Sequence, residues 1–380
     1  MKILHTSDSH LGYAAYRKST DDGVNQREKD VYDSFKQFID HAIEKKPDLI
    51  IHAGDLFDSV RPNNRAITLS IKQLVKLSKE NIPFVVISGN HEQPKLKETG
   101  HIFSIFDHID NIYPIYNEKY EKFSFEIDGK KVTIHAIPQC NSKKNFEEEL
   151  KKLKPEKTSD YNFFVSHGSV TGLQDFTMNE FNELIIPARI LSRDFDYIAL
   201  GHYHKYSKLS DNAYYSGAIE SLTFSEANEN KGYIELNIEK NKISTNFVEL
   251  KTRPMIDSEP IECSELKIDQ IMKKIKQQAR KIQPKEKTIR ITLKDISPSI
   301  YRSLDFNDLR KEFSDAIHYE IKVDVKEEDK RSPTFSSSKI DALVNEFKNF
   351  IENQNIEDKK ILTDMGIGYI EKIEAKKEGK

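Results

Sequence analysis

The chain contains no tryptophan and only two cysteines, Cys140 and Cys263, in 380 residues. Two thiols that far apart form neither a disulfide framework nor a zinc cluster, and they suit a reducing compartment. No apolar run approaches the roughly 20 residues that a membrane-spanning helix needs. The first residues enter a strand-like run directly, without the apolar core of a signal peptide. A cytoplasmic or nucleoid-associated protein with no membrane partner is therefore expected. Charge of one sign is scarce as well: 59 Lys and Arg stand against 62 Asp and Glu, for a net charge of −3. Such a chain has no global field to draw in a polyanion, so any phosphate-binding surface has to be local. Its length exceeds one ordinary domain and accommodates two or three.

What the chain does have is one pattern repeated. Five short apolar runs each end in residues able to ligate a metal. KILHTSDSH ends in Asp8 and His10, LIIHAGD in Asp55, FVVISGNHE in Asn90 and His91, FFVSHG in His167, and YIALGHYH in His202 and His204. A run of Ile, Val, Leu and Phe bounded by Gly and polar residues reads as a buried strand. Ligands of open α/β sheets bind beyond the carboxyl ends of such strands. Five strands delivering Asp, His and Asn to one sheet edge point to a single metal site. Asp8 and His10, and likewise His202 and His204, are two residues apart on a chain leaving a strand, a spacing that puts both side chains on one side. Each motif alone has an ordinary reading, as a turn, a loop or a hydrogen-bonded histidine. The same strand-end placement five times over decides for the metal. The other seven histidines (His5, His41, His52, His101, His108, His135 and His318) read as structural or surface residues. Of these, His5, His52 and His135 lie in apolar runs and read as hydrogen-bonded core residues.

Up to about residue 250 strand runs alternate with helical patterns. Val31, Phe35, Phe38, Ile39 and Ala42 recur at helical spacing before LIIHAG, and Ile67, Ile71, Leu74 and Val75 do so before FVVISG. This alternation predicts strands sandwiched by helices. Asp128-Gly129 between KFSFEID and KVTIHAIP is a hairpin signal, and Asn241 marks another. The pattern predicts a mixed sheet or a two-sheet sandwich. Arg253-Pro254 marks a boundary, followed by a small α/β unit with a helix over Ile268 to Ile282, a strand at TIRITLKDI, a helix over Asn307 to Phe313 and a strand at YEIKVDVK. Residues 326–338, KEEDKRSPTFSSS, read as a flexible linker. Two amphipathic helical segments follow, one with Ile340, Leu343, Val344, Phe347, Phe350 and Ile351, the other with Ile361, Leu362, Met365, Ile370 and Ile373. A short tethered helix pair buries such stripes poorly by itself, which suggests either docking on the parent domain or a partner.

Asp8-x-His10, Gly54-Asp55, Gly89-Asn90-His91-Glu92, His167 and Gly201-His202-x-His204 resemble, in order and spacing, the five signatures of calcineurin-like metallophosphoesterases. Within that superfamily HTSDSHLG, AGDLFDSVRP, ISGNHE, ALGHYHK and YYSGAIESLTFSE resemble the Mre-eleven type DNA double-strand-break repair nucleases, on the SbcD-like side. The resemblance implies an α/β fold with a four-layer α/β/β/α core. It implies a nuclease domain at 1–252, a capping domain at 253–325 that shapes a DNA cleft, the linker at 326–338 and an ATPase-binding helix–loop–helix at 339–380. Asp8, His10 and His204 would complete one metal position and Asn90, His167 and His202 the other, with Asp55 bridging. Hard oxygens mixed with imidazoles suit two Mn2+ per chain, with iron or zinc as alternatives. Two such metals can clamp a phosphodiester and supply a water of depressed pKa. His91 would meet the phosphate and protonate the leaving oxygen, a task for a group of near-neutral pKa. Asp58 departs from the many relatives that have His there, which puts any auxiliary role of that His in doubt.

The implied activity is 3′-to-5′ exonuclease action on duplex ends and endonuclease action on single strands. The implied partners are double- and single-stranded DNA, an SMC-like coiled-coil ABC ATPase held by Phe347, Phe350, Ile351, Leu362 and Ile370, and a second copy of the chain meeting Ile67, Ile71, Ile102, Ile105 and Ile109. Tyr13, Tyr16, Arg17 and Lys18 after the first motif, and Arg61, Asn64 and Arg65 after the second, interleave aromatic, polar and basic groups that suit phosphate contacts without base readout. Two other classes compete. A protein phosphatase or small-molecule phosphodiesterase would share GNHE, but protein phosphatases usually carry Gly-Asp-x-x-Asp-Arg, and here Ser59 follows Asp58. A non-catalytic DNA-end-binding scaffold would have no need of the full ligand set.

Overall fold

Strand runs that are apolar at every position need cover on both faces, and the chain provides it in layers. The computed structural model describes residues 1–171, 183–191, 195–324, 347, 351 and 359–367. Strands β1 (Lys2–Thr6), β2 (Leu49–His52), β3 (Phe84–Ile87) and β4 (Ile112–Ile115) run parallel, side by side. The antiparallel pair β13 (Gly232–Glu239) and β14 (Lys242–Glu249) extends this first sheet beyond β1. A second six-stranded sheet holds β5 (Glu121–Ile127), β6 (Lys130–Ile137), β7 (Tyr161–His167), β10 (Tyr197–Gly201), β11 (Ser207–Lys208) and β12 (Ala213–Tyr215) in the order β11-β12-β10-β7-β6-β5. Two short strands, β8 (Ser169–Val170) and β9 (Ile185–Ile186), pair with each other.

Alternate residues along each strand enter different layers, as the pleat requires. Ile3, Ile51 and Val85 of the first sheet meet Val132, Ile134, Phe163 and Val165 of the second in a dry layer between the sheets. Leu4, Ile50, Phe84 and Val86 face outward against helix α1 (Gln26–Lys45) through Val31, Phe35, Phe38, Ile39 and Ala42, and against α2 (Asn64–Lys79). On the far side Phe164, Ile198 and Leu200 pack with Phe146 and Leu150 of α3 (Lys143–Lys152). The core is thus α/β/β/α, in agreement with the expected four layers. Helix α1 starts where Asn25 accepts from the backbone of Arg27 and Glu28, and it stops at Lys46, whose left-handed φ of 44° and following Pro47 admit no further turn.

One expectation needs correction. The five motif strands do not share one sheet edge: β1, β2 and β3 belong to the first sheet, β7 and β10 to the second. A strand apolar throughout fits either sheet, so its pattern carries no information about which. Of the four positions at helical spacing, helix α2 buries Leu74 and leaves Ile67, Ile71 and Val75 half-buried. Its buried face is Ala66, Leu69, Ser70, Gln73, Leu74 and Leu77. Within the segment His101–Ile109 a short 3-10 helix spans Ile102–Phe106. It inserts Phe103 and Phe106 into the core and leaves Ile102, Ile105 and Ile109 half-buried at its margin. Both expected hairpins form. Their turn residues Asp128, Gly129, Lys240 and Asn241 all have positive φ, the primed-turn geometry that matches strand twist.

Beyond residue 253, strand β17 (Thr288–Lys294) pairs with β15 (Met255–Asp257), β16 (Ile261–Glu262) and β18 (His318–Asp324). Helices α4 (Ile268–Ile282), α5 (Pro298–Arg302) and α6 (Phe306–Glu312) belong to the same stretch. The chain falls into two compact units. One comprises residues 1–261, 272–292 and 305–322, and the other residues 262–271, 293–304 and 323–380. Residues 253–325 therefore contribute to both. The expected linker, Phe350 and Ile370 lie outside the described residues. In the tail Ile351 is buried and Phe347 half-buried, and Phe347 lies against Gly366 closely enough to leave no room for a Cβ. Ile361, Leu362 and Met365 are exposed. Among the described residues no helix is long and apolar enough to cross a membrane.

Candidate metal centre

The carboxyl ends of β1, β2, β3, β7 and β10 meet where the two sheets face each other, and the side chains that follow them converge there. Asp8, His10 and His204 form one group whose potential ligand atoms lie within 4.8 Å of one another, and Asp55, His167 and His202 form a second. Asp55 also groups with His10 and His91, so it stands between the two sets. Its Oδ2 is 3.2 Å from His167 Nε2 and 3.7 Å from His10 Nε2. Asn90 Oδ1 lies 3.0 Å from His167 Nε2 and 3.1 Å from His202 Nδ1. All seven expected ligands are thus gathered in one buried cleft, with the His91 ring edge-on to His10 at 4.6 Å.

The backbone that achieves this is not extended. Asp8, His10, Asp55 and His202 have φ of 51°, 46°, 54° and 99°. The two-residue spacing of Asp8 and His10 therefore works through a left-handed turn, not through strand alternation. Non-glycine residues in this region are uncommon and cost energy, and they concentrate where function holds them. The strain is over-determined by cross-links between motifs. Asp8 accepts from the backbone N–H of His202 at 3.0 Å, and Asp55 Oδ1 accepts from that of His91 at 3.0 Å. Glycine makes the approach possible. A Cβ on Gly54 would fall 2.3 Å from His167 Nδ1, and one on Gly89 2.1 Å from Asp55 Oδ1.

Each site histidine is held by its far nitrogen. His10 Nδ1 faces Asp58 Oδ1 at 3.2 Å, His167 Nδ1 donates to the Ala53 carbonyl at 2.8 Å, His202 Nε2 faces Glu183 Oε1 at 3.4 Å and His204 Nδ1 faces Glu226 Oε1 at 3.1 Å. An imidazole that donates outward presents a lone pair inward, the usual arrangement of a metal-ligating histidine. Two such nitrogens, His10 Nε2 and His204 Nε2, then stand 3.1 Å apart. Lone pairs that close require a proton or a cation between them. The donor set therefore fits a divalent metal at each group.

The electrostatics agree. Burial lowers the His167 pKa, but the neighbouring Asp55 carboxylate more than reverses this and carries it up to about 9. Burial raises Asp55, and His167 outweighs it in turn, leaving that carboxyl well below the ordinary range. Glu92, fully buried and pushed well upward by burial and by Asp55, accepts from the backbone N–H groups of Leu56 and Gly89 and ties the second motif to the third. Burial drives His5 and His52 down to about 3, so both are neutral; they bond Tyr197 and Ser9. His135 bonds Tyr120 and Asn162. All three lie in the core, as expected.

His91 is partly exposed and donates from Nδ1 to the Asp58 carbonyl at 3.1 Å. Asp58 thus steadies His91 with its backbone and His10 with its side chain. Tyr13 turns inward and its hydroxyl donates to the Leu222 carbonyl at 2.7 Å. Tyr16 stacks on His318, with ring centres 3.8 Å apart. Arg17, Lys18, Arg61, Asn64 and Arg65 are exposed, with Arg65 3.8 Å from Glu28. The outer partners Glu183, Glu226 and Lys231 escaped the sequence reading. Glu226 lies within SGAIESLTFSE, but its distance of 22 residues from His204 has no recognisable motif spacing.

The signature described as "Calcineurin-like phosphoesterase" matches residues 1–206, more than half of the chain. The chain is a calcineurin-like phosphoesterase. It is also similar to the DNA double-strand break repair protein Mre11 of several archaea. Identity is 31% with that of Methanococcus maripaludis, over 61% of this chain and 60% of the relative. It is 38% with that of Sulfolobus acidocaldarius, over 41% and 38%, and 29% with that of Methanocaldococcus jannaschii, over 66% of each. The chain spans 60%, 38% and 66% of the length of these three relatives. Phosphoesterases of this family bind divalent metals, and the groups just described are the phosphoesterase's candidate ligands.

A pH dependence follows from His167. Its raised pKa means that the ion pair with Asp55 contributes fully to the metal-free fold below the ordinary value of 6.5 and is lost as pH rises through about 9. A metal has to displace the same proton, so apparent affinity should rise with pH over that window. Titrating the full chain with Mn2+, with free ion followed by electron paramagnetic resonance from about pH 6 to about pH 9, checks this. A flat profile would contradict it.

Proposed function

We propose that this phosphoesterase is a DNA nuclease that hydrolyses phosphodiester bonds at double-strand breaks. The observation that carries the reading is the convergence of Asp8, His10, Asp55, Asn90, His167, His202 and His204, each imidazole pre-oriented by an acceptor at its far nitrogen. The similarity to archaeal Mre11 proteins supports DNA as the substrate. In this reading the seven residues hold two divalent cations, manganese by preference, with Asp55 shared. Such a pair, when bound, supplies charge stabilisation for the attacking and leaving oxygens and a nucleophile at neutral pH. His91 keeps Nδ1 on the Asp58 carbonyl, and its doubly protonated ring would supply the proton for the leaving oxygen. By the resemblance, cleavage is 3′-to-5′ on duplex ends and endonucleolytic on single strands. The exposed Arg17, Lys18, Arg61, Asn64 and Arg65 suit phosphate contacts, whereas the inward Tyr13 suits packing better.

The half-buried Ile67, Ile71, Ile102, Ile105 and Ile109 suit contact with a second copy of the chain. The stripe around Phe347, Phe350, Ile351, Leu362 and Ile370 suits an SMC-like ABC ATPase. A chain ending at residue 334 should lose that ATPase while still cleaving small DNA substrates. Full-affinity copurification of the truncated chain would remove the tail from this role.

Metal content tests the ligand assignment. Asp55→Asn should deplete both positions, because a neutral amide bridges poorly, and His10→Ala mainly one; two metals retained at full affinity in Asp55→Asn would refute the bridge. Turnover tests His91. With Mn2+ and duplex ends, His91→Leu should keep its metals and bind DNA yet lose on the order of 100- to 10,000-fold in rate. Running phosphopeptide and bis-p-nitrophenyl phosphate beside DNA separates the nuclease from a phosphatase, and no hydrolysis of any substrate by the metal-loaded chain would leave only a scaffold.

A further inference from the structure

Among the four histidines of the centre, His204 is held differently. Asp58 and Glu183, which face His10 and His202, are partly open to solvent, and His167 is held by a backbone carbonyl. Glu226, which faces His204, is 6% exposed, and behind it stands Lys231, 2% exposed, with Nζ 2.7 Å from Glu226 Oε2. The same ammonium donates to the His204 carbonyl oxygen at 2.9 Å, and the backbone N–H of Ala218 reaches that oxygen at 2.9 Å. The pair therefore grips one residue at both ends, the ring through Glu226 and the main chain through Lys231.

A simpler role for Glu226 is to cap the 3-10 turn Phe224–Glu226, where its carboxylate accepts from the N–H groups of Thr223 and Leu222. A cap of a three-residue turn needs no buried counter-ion. Removing a carboxylate and an ammonium from water is costly, so a buried pair is weak evidence for stability as such. Convergence of both partners on His204 supplies what a capping role leaves unexplained. A carboxylate on the far nitrogen fixes the tautomer and the ring plane, and raises the ligand strength of the near one.

We propose that Glu226 is a positioning residue for His204, with Lys231 as the buried cation that locks it, and that the pair sets the affinity of the metal position shared by Asp8, His10 and His204. This rests on the metal reading of the cluster. It assigns an unequal construction to the two positions, since in the group of Asp55, His167 and His202 the outer acceptors are a backbone carbonyl and the partly open Glu183.

The probe is Mn2+ alone, titrated into the full chain by calorimetry, with thermal melting of the metal-free protein alongside. Glu226→Ala combined with Lys231→Met removes the acceptor together with its buried counter-ion; Glu229, which also pairs with Lys231 at 3.2 Å, is partly open to solvent and keeps Lys205 at 3.9 Å. It should weaken one binding event by about 10- to 100-fold and leave the other near the wild-type value. Glu226→Gln combined with Lys231→Met restores an acceptor for His204 Nδ1 and should recover most of the loss. A capping role alone would lower the melting temperature of the Ala variant and leave the ratio of the two affinities unchanged, which would overturn the proposal. So would equal weakening of both events, or no recovery with Gln. A wild-type chain that takes up no metal would overturn the metal reading and this inference together. A wild type with two binding events, matched by the Ala variant, would overturn this inference alone.

Discussion

Lone pairs crowded into a buried cleft repel, and the centre depends on how that repulsion is contained. Four imidazoles aim a nitrogen inward, two of them only 3.1 Å apart. Free side chains would rotate away. Here each ring is tethered outward, to Asp58, the Ala53 carbonyl, Glu183 or Glu226, so rotation costs a hydrogen bond in a site where an unmade bond is expensive. The remaining route to relief is a cation, or a proton such as the one Asp55 holds on His167. The fold thereby stores its affinity in advance, and binding need not order the ligands.

The two-sheet architecture serves that constraint. One sheet could present ligands only along a line. Two sheets meeting at their carboxyl ends surround the cleft, three motifs from one side and two from the other. The motifs also brace one another, because the Asp8 carboxylate caps the His202 backbone across the gap and Asp55 caps the His91 backbone within the first sheet. The left-handed backbone at Asp8, His10, Asp55 and His202 is tolerable only in so rigid a frame.

The parts legible in the sequence are those written in local code. The five strands, both primed hairpin turns and helix α4 follow from runs, turn residues and periodicity over a few positions. Sheet membership did not, because LIIH and FFVSH are equally apolar and suit burial on either side. The buried face of α2 was not legible for a related reason. Ser70 and Gln73 face the core while Ile67, Ile71 and Val75 lie beside it, so the docking of the helix overrode its own apolar row. The outer partners were invisible because Glu226 and Lys231 act through space on His204, and nothing in their own neighbourhood distinguishes them from surface charge.

On the proposed reading, the placement of charge lets the chain act on a polyanion with no basic excess. Asp8 and Asp55 inside the cleft, with Asp58 and Glu183 behind the histidines, bring four carboxylates to the strand ends. Glu226 is offset by Lys231, and burial together with the neighbouring Asp55 pushes the Glu92 carboxyl well above its ordinary range. Without cations such a cleft repels a phosphodiester, whatever lysines lie around its mouth. Two divalent cations would balance the four carboxylates and open coordination positions for phosphate oxygens at the same place. On the proposed reading, metal binding thus precedes and permits DNA binding at the centre, while exposed Arg17, Lys18, Arg61 and Arg65 act only on the backbone further out. The net charge of −3 is then no obstacle, because the attraction is supplied where the chemistry occurs.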